Sequence, residues 1–260
     1  LLTFDFRLST YIMKIAILEQ PPISTSELCV YGLPHMFPEA EIVGVPPEEI
    51  LKSSSMMKDF HMLVLGGIVG EDSPYPTIFT PQRAEILENY LLQGGIVWAE
   101  CAATYHLTEF YSYTTSTGQF KQIYGLELIP GSATGPAFPH HTTPSCGRTL
   151  TVATIFNPAA EGLISYQALD INGPALHLDP DASVIETLRY ENAPDQPVCG
   201  VIKSHGTGLL MAFSFHAAIP FTRIPSEIRD SQNAEEANRL LFLAHQANRI
   251  HAHIRTLARE

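Results

Sequence analysis

Over the first hundred residues, short apolar runs alternate with segments that carry helix signals. "KIAILE" (14–19) reads as a buried strand, and Ser24 or Thr25 in the following "PPISTSEL" is placed to cap a short helix through Leu28 and Val30. "AEIVGV" (40–45) predicts a second strand. "PPEEILKS" (46–53) sets proline ahead of two acids, as a helix start does. "HMLVLGG" (61–67) is a third strand that runs into paired glycines. "TPQRAEILENYLLQGG" (80–95) has a threonine cap, apolar positions at Ile86, Leu87, Tyr90 and Leu91, and a glycine stop. "IVWAE" (96–100) is the fourth strand, and "CAATYHL" after it is helix-like. Continuous apolar strands alternating with helices predict a mainly parallel, doubly wound sheet covered on both faces.

Between about 120 and 215 the segments shorten and fill with β-branched residues, glycine and proline. "TLTVATIF", "LISYQALDI", "SVIETLRY", "VCGVIKS" and "GLLMAFSF" predict strands, with "SHGTG" (204–208) as a hairpin turn between the last two. A helical tail, one amphipathic helix or two, is expected from about 225. No repeat or low-complexity linker divides the chain. The reading is therefore one α/β domain over 13–260 with an added β-rich portion, preceded by a possible non-native or extended leader at 1–12.

Composition narrows the function classes. Forty-five per cent of the 260 residues are hydrophobic and only 16% are charged, so a sizeable core is expected without staples. The net charge of −12, with no clustered Lys or Arg, argues against nucleic acid and anionic membranes as partners. The longest apolar run, 62–70, is far short of a membrane span. Cys29, Cys101, Cys146 and Cys199 form no CxxC pair and are read as reduced thiols in a cytoplasmic protein. No GxGxxG, GxxxxGK[ST] or HExxH is present, and His140-His141 lacks a carboxylate or thiol at ligand spacing, so neither cofactor nor metal is expected.

Sites in a parallel sheet lie beyond the carboxyl ends of its strands. Two ends are unusual here. The third strand ends in Gly66-Gly67, where backbone amides can approach a ligand. The fourth ends in Glu100-Cys101, followed by the small residues Ala102 and Ala103. A strand–nucleophile–helix turn demands small neighbours and sets a cysteine at the positive end of a helix. The amides of Gly67 and Ala102 would then flank an oxyanion. His216, at the end of "LLMAFSFH", is the best-placed base, whereas His106 lies one turn beyond the cysteine and points elsewhere. The plainer readings stand beside these: Cys101 as a small buried hydrophobe, His216 as a hydrogen-bonded structural residue, and Gly66-Gly67 as a turn.

The order of features resembles the class I glutamine amidotransferase-like superfamily. More closely, it resembles the domain at the N-terminus of biotin–protein ligases, which also occurs as a stand-alone bacterial protein. The stretches that carry the likeness are "MLVLGGIVGEDSPY" (62–75), "GGIVWAECAATYHL" (94–107), "YGLELIPGSATGPAF" (124–138), "ALDINGPALHLD" (168–179) and "LLMAFSFH" (209–216). The resemblance implies a flavodoxin-like α/β fold. It sets Cys101 at the elbow, Gly67 and Ala102 at the oxyanion position and His216 at the catalytic histidine. Tyr75 falls at a tyrosine after the Gly-Gly loop, and Asn172-Gly173 at an Asn-Gly-Gly stretch. Gly66, Tyr75, Tyr105 and Asn172 are then the expected substrate-binding residues.

Three positions depart from the superfamily pattern. Gly-x-Cys-x-Gly becomes Ala99-Glu100-Cys101-Ala102-Ala103, and the glutamate expected two residues after the histidine is Ala218. Glu100 itself either opposes thiolate formation by like charge or, if protonated, hydrogen-bonds the sulfur, as in oxidation-sensing relatives of this fold. Three functions remain open: cysteine-dependent hydrolysis or transfer of a small amide or acyl group, a small-molecule-binding module that has lost turnover, and a redox-responsive protein. The expected partner is a small molecule, with a homo-oligomer or a ligase or synthetase compatible with the resemblance. The ligase's Gly-Arg-Gly-Arg stretch is absent, so biotinylation is not expected.

Overall fold

The computed structural model describes residues 12–21, 32–68, 71–115, 117–138, 151–157, 165–217 and 234–257. The expected cap at Ser24 or Thr25, His140-His141, Cys29, Cys146, Ala218 and nearly all of the leader lie outside the described residues.

In chain order, the first half holds β1 (Lys14–Leu18), α1 (Leu33–Met36), β2 (Glu41–Val45), α2 (Pro47–Ile50), α3 (Ser54–Met57), β3 (Met62–Leu65), α4 (Tyr75–Ile78), α5 (Pro81–Leu92), β4 (Ile96–Glu100) and α6 (Ala102–Leu107). Then follow β5 (Thr108–Thr114), β6 (Phe120–Tyr124), β7 (Ile129–Gly135), β8 (Thr151–Phe156), β9 (Tyr166–Asp170), β10 (Ala175–Leu178), β11 (Glu186–Tyr190), β12 (Val198–His205), β13 (Gly208–Phe213) and α7 (Ala234–Leu257). The hydrophobic pattern does not mark strands β5, β6, β7 and β10. The tail forms a single helix over its described part.

The strands join into one mixed sheet. On one side, β2, β1, β3, β4 and β13 lie in that order and run parallel. From β13 the sheet continues through β12, β10, β7, β5 and β6, with antiparallel pairing except between β5 and β7. A branch of β11, β8 and β9 grows from β12.

Side chains of a strand alternate between faces, and both faces of the parallel half are covered. Ile15, Ile17, Met62, Val64, Ile96, Trp98, Met211 and Phe213 pack into one core with Leu33, Leu243, Ala247 and Ile250 of α1 and α7. Their neighbours Ala16, Leu18, Leu63, Leu65, Val97, Ala99, Leu210 and Ala212 pack into the other with Leu87, Tyr90 and Leu91 of α5. This is why the strands read as unbroken apolar runs. Helix α5 starts as expected, with Thr80 Oγ1 accepting from the Arg83 amide, and stops at Gly94 in the left-handed region (φ 100°). Among the described residues, no helix is long and apolar enough to cross a membrane.

Register is what builds a site. Leu65 pairs with Ala99, and Phe213 pairs with Glu100. The three strands therefore end nearly level, and the segments after Leu65, Glu100 and Phe213 emerge side by side.

Candidate active site

Cys101 sits between β4 and α6 with φ 52° and ψ −111°. A side chain in that region strains the backbone by an amount on the order of 1–3 kcal/mol, which the surroundings must hold in place. They do so through one carbonyl: Phe213 O accepts from Cys101 N (2.8 Å) and from Thr104 Oγ1 (2.7 Å). The elbow is thus tied to the end of β13. Ala99 lies within β4 and Ala103 within α6, so neither position needs a glycine's freedom.

The second strand end closes on the first. A Cβ built on Gly67 would lie 2.6 Å from His216 Cε1, 3.4 Å from His216 Nε2 and 3.3 Å from Cys101 Cβ. The Cε1–Nε2 edge of the imidazole and the base of the cysteine therefore share one point of backbone. Only glycine permits that approach. His216 lies three residues past β13, not at its end. Its amide donates to Leu169 O (2.8 Å) in an isolated bridge, which turns it back toward the elbow.

Glu100 is fully buried. Its Oε1 accepts from Trp98 Nε1 (3.0 Å), and its Oε2 lies 3.7 Å from His216 Nδ1. The carboxylate thus faces the far side of the imidazole.

The remaining wall comes from distant segments. Cys101 Sγ donates to Ile171 O (3.3 Å). Tyr105 Oη donates to Asn172 O (2.8 Å), and Tyr75 Oη donates to Gly66 O (2.6 Å), pinning the Gly-Gly loop. Burial, and then the neighbouring Cys101 sulfur, push the Tyr75 and Tyr105 phenols well above their ordinary value. Tyr113 of β5 joins them. Burial first, then Glu71 and Cys101, raise it to about 12, against a bond from the Asn172 side chain. Asn172 itself is left-handed (φ 60°), and its Oδ1 is buried with no hydrogen-bond partner among the described residues. Asp170 builds that turn: it accepts from the Gly173 amide (3.2 Å) and from Tyr190 Oη. Burial raises its carboxyl to about 6, against the bonds from Tyr190, Gly173 and Asn172.

Glu100, Cys101, Gly67 and His216 thus gather at the crevice beyond the strand ends, with Tyr105 and Asn172 beside them; Tyr75 is fully buried behind Gly66, and Ala102 opens α6 next to Cys101. His106 stands behind it, stacked on Tyr75 and Phe79, and burial lowers it to about 4. Sequence reading did not find Tyr113, Glu71, Asp170 or the Ile171 carbonyl, which the fold brings in from other segments. Nor did it find Trp98, although Trp98 and Glu100 are two apart on one strand and so share a face.

No protein-family model matches the chain, and no curated protein matches its sequence significantly. Its structure is similar to those of glutamine amidotransferase and ThuA-like proteins at low sequence identity. A glutamine amidotransferase aligns over 89% of this chain and 98% of its own, at 14% identity and a TM-score of 0.47. A ThuA-like protein from Bacteroides uniformis covers 94% of both chains at 11% identity and a TM-score of 0.47. The mmIFT52 N-terminal domain aligns over 88% of this chain and 95% of its own, at 12% identity and a TM-score of 0.50. At these identities the likeness is one of fold.

Proposed function

We propose that the crevice carries cysteine-dependent hydrolysis or transfer of an amide or acyl group of a small molecule. The observation that supports this reading most is the strained Cys101 elbow, with Gly67 and the His216 ring packed against it. A buried cysteine with only a packing role has no need of a left-handed backbone.

In this reading His216 Nε2 takes the thiol proton, and Cys101 Sγ forms a C–S bond to the substrate carbonyl. The C=O electron pair moves to oxygen, where the Gly67 and Ala102 amides receive it, a stabilisation of about 3–4 kcal/mol. Collapse breaks the carbon–leaving-group bond, and the leaving group takes the proton from His216. Water or an acceptor then releases the acyl group by the same steps. Tyr105 and Asn172 lie on the substrate side in this reading, and the buried Tyr75 supports it from behind by holding Gly66. Asn172 Oδ1, which has no hydrogen-bond partner among the described residues, suits a substrate with an N–H or O–H donor. Kinship with the biotin-ligase-type domain belongs to this proposal and rests on the sequence stretches that carry it.

One observation favours a second reading, a binding module without turnover. The Cys101 thiol donates to the Ile171 carbonyl, an acceptor that favours the protonated form. Labelling with iodoacetamide at neutral pH, read by mass spectrometry, separates the two. Cys101 is expected to react before Cys29, Cys146 and Cys199. An inert Cys101 beside a reactive Cys29 or Cys146 overturns the enzymatic reading.

A further inference from the structure

The superfamily pattern expects an acid two residues after the histidine, and this chain has Ala218 there. The geometry points to Glu100 as its replacement: a positioning residue that orients His216 and stabilises its protonated form from the position just before the nucleophile. The inference rests on the proposed role of His216 as the proton acceptor of Cys101.

Three observations carry it. Glu100 Oε2 is 3.7 Å from His216 Nδ1, within ion-pair reach, while the Cε1–Nε2 edge of the same ring lies against Gly67, which the Cys101 Cβ also abuts. The carboxyl therefore stands beside the nitrogen on the side of the ring away from Gly67, the place an orienting acid takes. Its other oxygen accepts from Trp98 Nε1 at 3.0 Å, which fixes the carboxyl group with Oε2 toward the imidazole. Glu100 is also wholly inaccessible to solvent, so only its neighbours can offset the cost of burying its carboxyl group.

The arrangement follows from strand geometry. Glu100 and Trp98 share the sheet face covered by α7, whereas Cys101 leaves the strand at the elbow. Two consecutive residues can therefore serve opposite edges of one imidazole. When His216 Nε2 receives the thiol proton, Glu100 keeps its charge and lies against Nδ1–H; no proton passes to it. This differs from both sequence-level readings of Glu100, in which it acts on the sulfur.

The test compares Glu100→Gln with the unaltered chain, using iodoacetamide at pH 7 with the rate at Cys101 read by mass spectrometry. Loss of the carboxylate charge is expected to slow alkylation at least about tenfold. An unchanged or faster rate overturns the proposal, because relief of like-charge repulsion at the sulfur would speed the reaction. Nitrogen-15 NMR of the unaltered protein gives a second readout that stands even if the variant fails to fold. Neutral His216 is expected with its proton on Nδ1, and a proton on Nε2 overturns the assignment. An inert Cys101 in the unaltered protein would remove the enzymatic reading, whereas the His216 tautomer would still report on Glu100, so the two failures are distinct.

Discussion

The two halves of the sheet supply the crevice in different ways. The parallel half contributes mainly backbone: the elbow at Cys101, the Gly66-Gly67 loop and the Phe213 carbonyl that holds the elbow. Their positions follow from strands that end level, and the surrounding packing is almost wholly apolar. The β-rich half contributes a turn, Ile171–Gly173, and the Tyr113 side chain. That turn is held by Asp170, a buried carboxyl pushed up to about 6. A polar network in a low-dielectric setting holds only while its charges and donors match. The strand-end cluster is thus fixed by strand register, and the opposing turn by a buried carboxyl that titrates.

The largest effect should fall on the wall. Asp170 keeps its proton to about pH 6 in the fold but has an ordinary value of 3.8. Between those values the folded state binds the extra proton. This contribution to stability is fully present below about pH 4 and is lost as pH rises through 6. A rise of that size in the carboxyl's pKa is worth roughly 3 kcal/mol. Asp170→Asn can still accept from the Gly173 amide while its amide group donates to Tyr190 Oη, so the turn persists and the titration does not. Urea unfolding at pH 4 and pH 7 should show the difference between parent and variant changing by about that amount. A difference independent of pH would place the sensitivity elsewhere.

The next effect tests the parallel half. Gly67→Ala puts a Cβ 2.6 Å from His216 Cε1, so the ring must move away from Cys101. Alkylation of Cys101 is expected to slow about a hundredfold, since proton transfer depends on that geometry. Overpacking should lower stability by only about 1–3 kcal/mol. If the rate survives, the elbow and the histidine do not act together.

The same division decides what the sequence made legible. Strands buried on both faces must be apolar throughout, so "KIAIL", "MLVL" and "IVWAE" announce themselves. The ends of β3 and β4 mark Gly67 and Cys101, and the apolar run "LLMAFSFH" marks His216, as candidates for one site. By contrast, β5, β6 and β7 carry glycine, proline or exposed polar residues, because one side of them meets solvent or a turn. Their run lengths and composition gave no clear period. The wall at Ile171–Asn172 depends on pairing between β9 and β8 and on the Leu169–His216 bridge, contacts between segments distant along the chain. Glu100 was visible as a residue, but its partner was not. The fold sets that partner, the His216 imidazole, 3.7 Å from Glu100 Oε2.

The smallest expected effect separates hydrogen bonding from titration within the wall. Tyr105→Phe removes the 2.8 Å bond to Asn172 O and leaves that carbonyl without its phenol donor. Such a loss costs about 1–2 kcal/mol, or a fall of roughly 2–6 °C in Tm for a chain of this size. Burial and the Cys101 sulfur hold the Tyr105 phenol well above its ordinary range, so it stays protonated from pH 4 to pH 7. The fall should therefore be the same at both pH values, unlike that of Asp170→Asn. Thermal unfolding at pH 4 and pH 7 measures both variants side by side. An unchanged Tm would mean that the Asn172 turn is held without Tyr105, and a fall seen only at pH 7 would mean that Tyr105 acts through the Asp170 carboxylate instead.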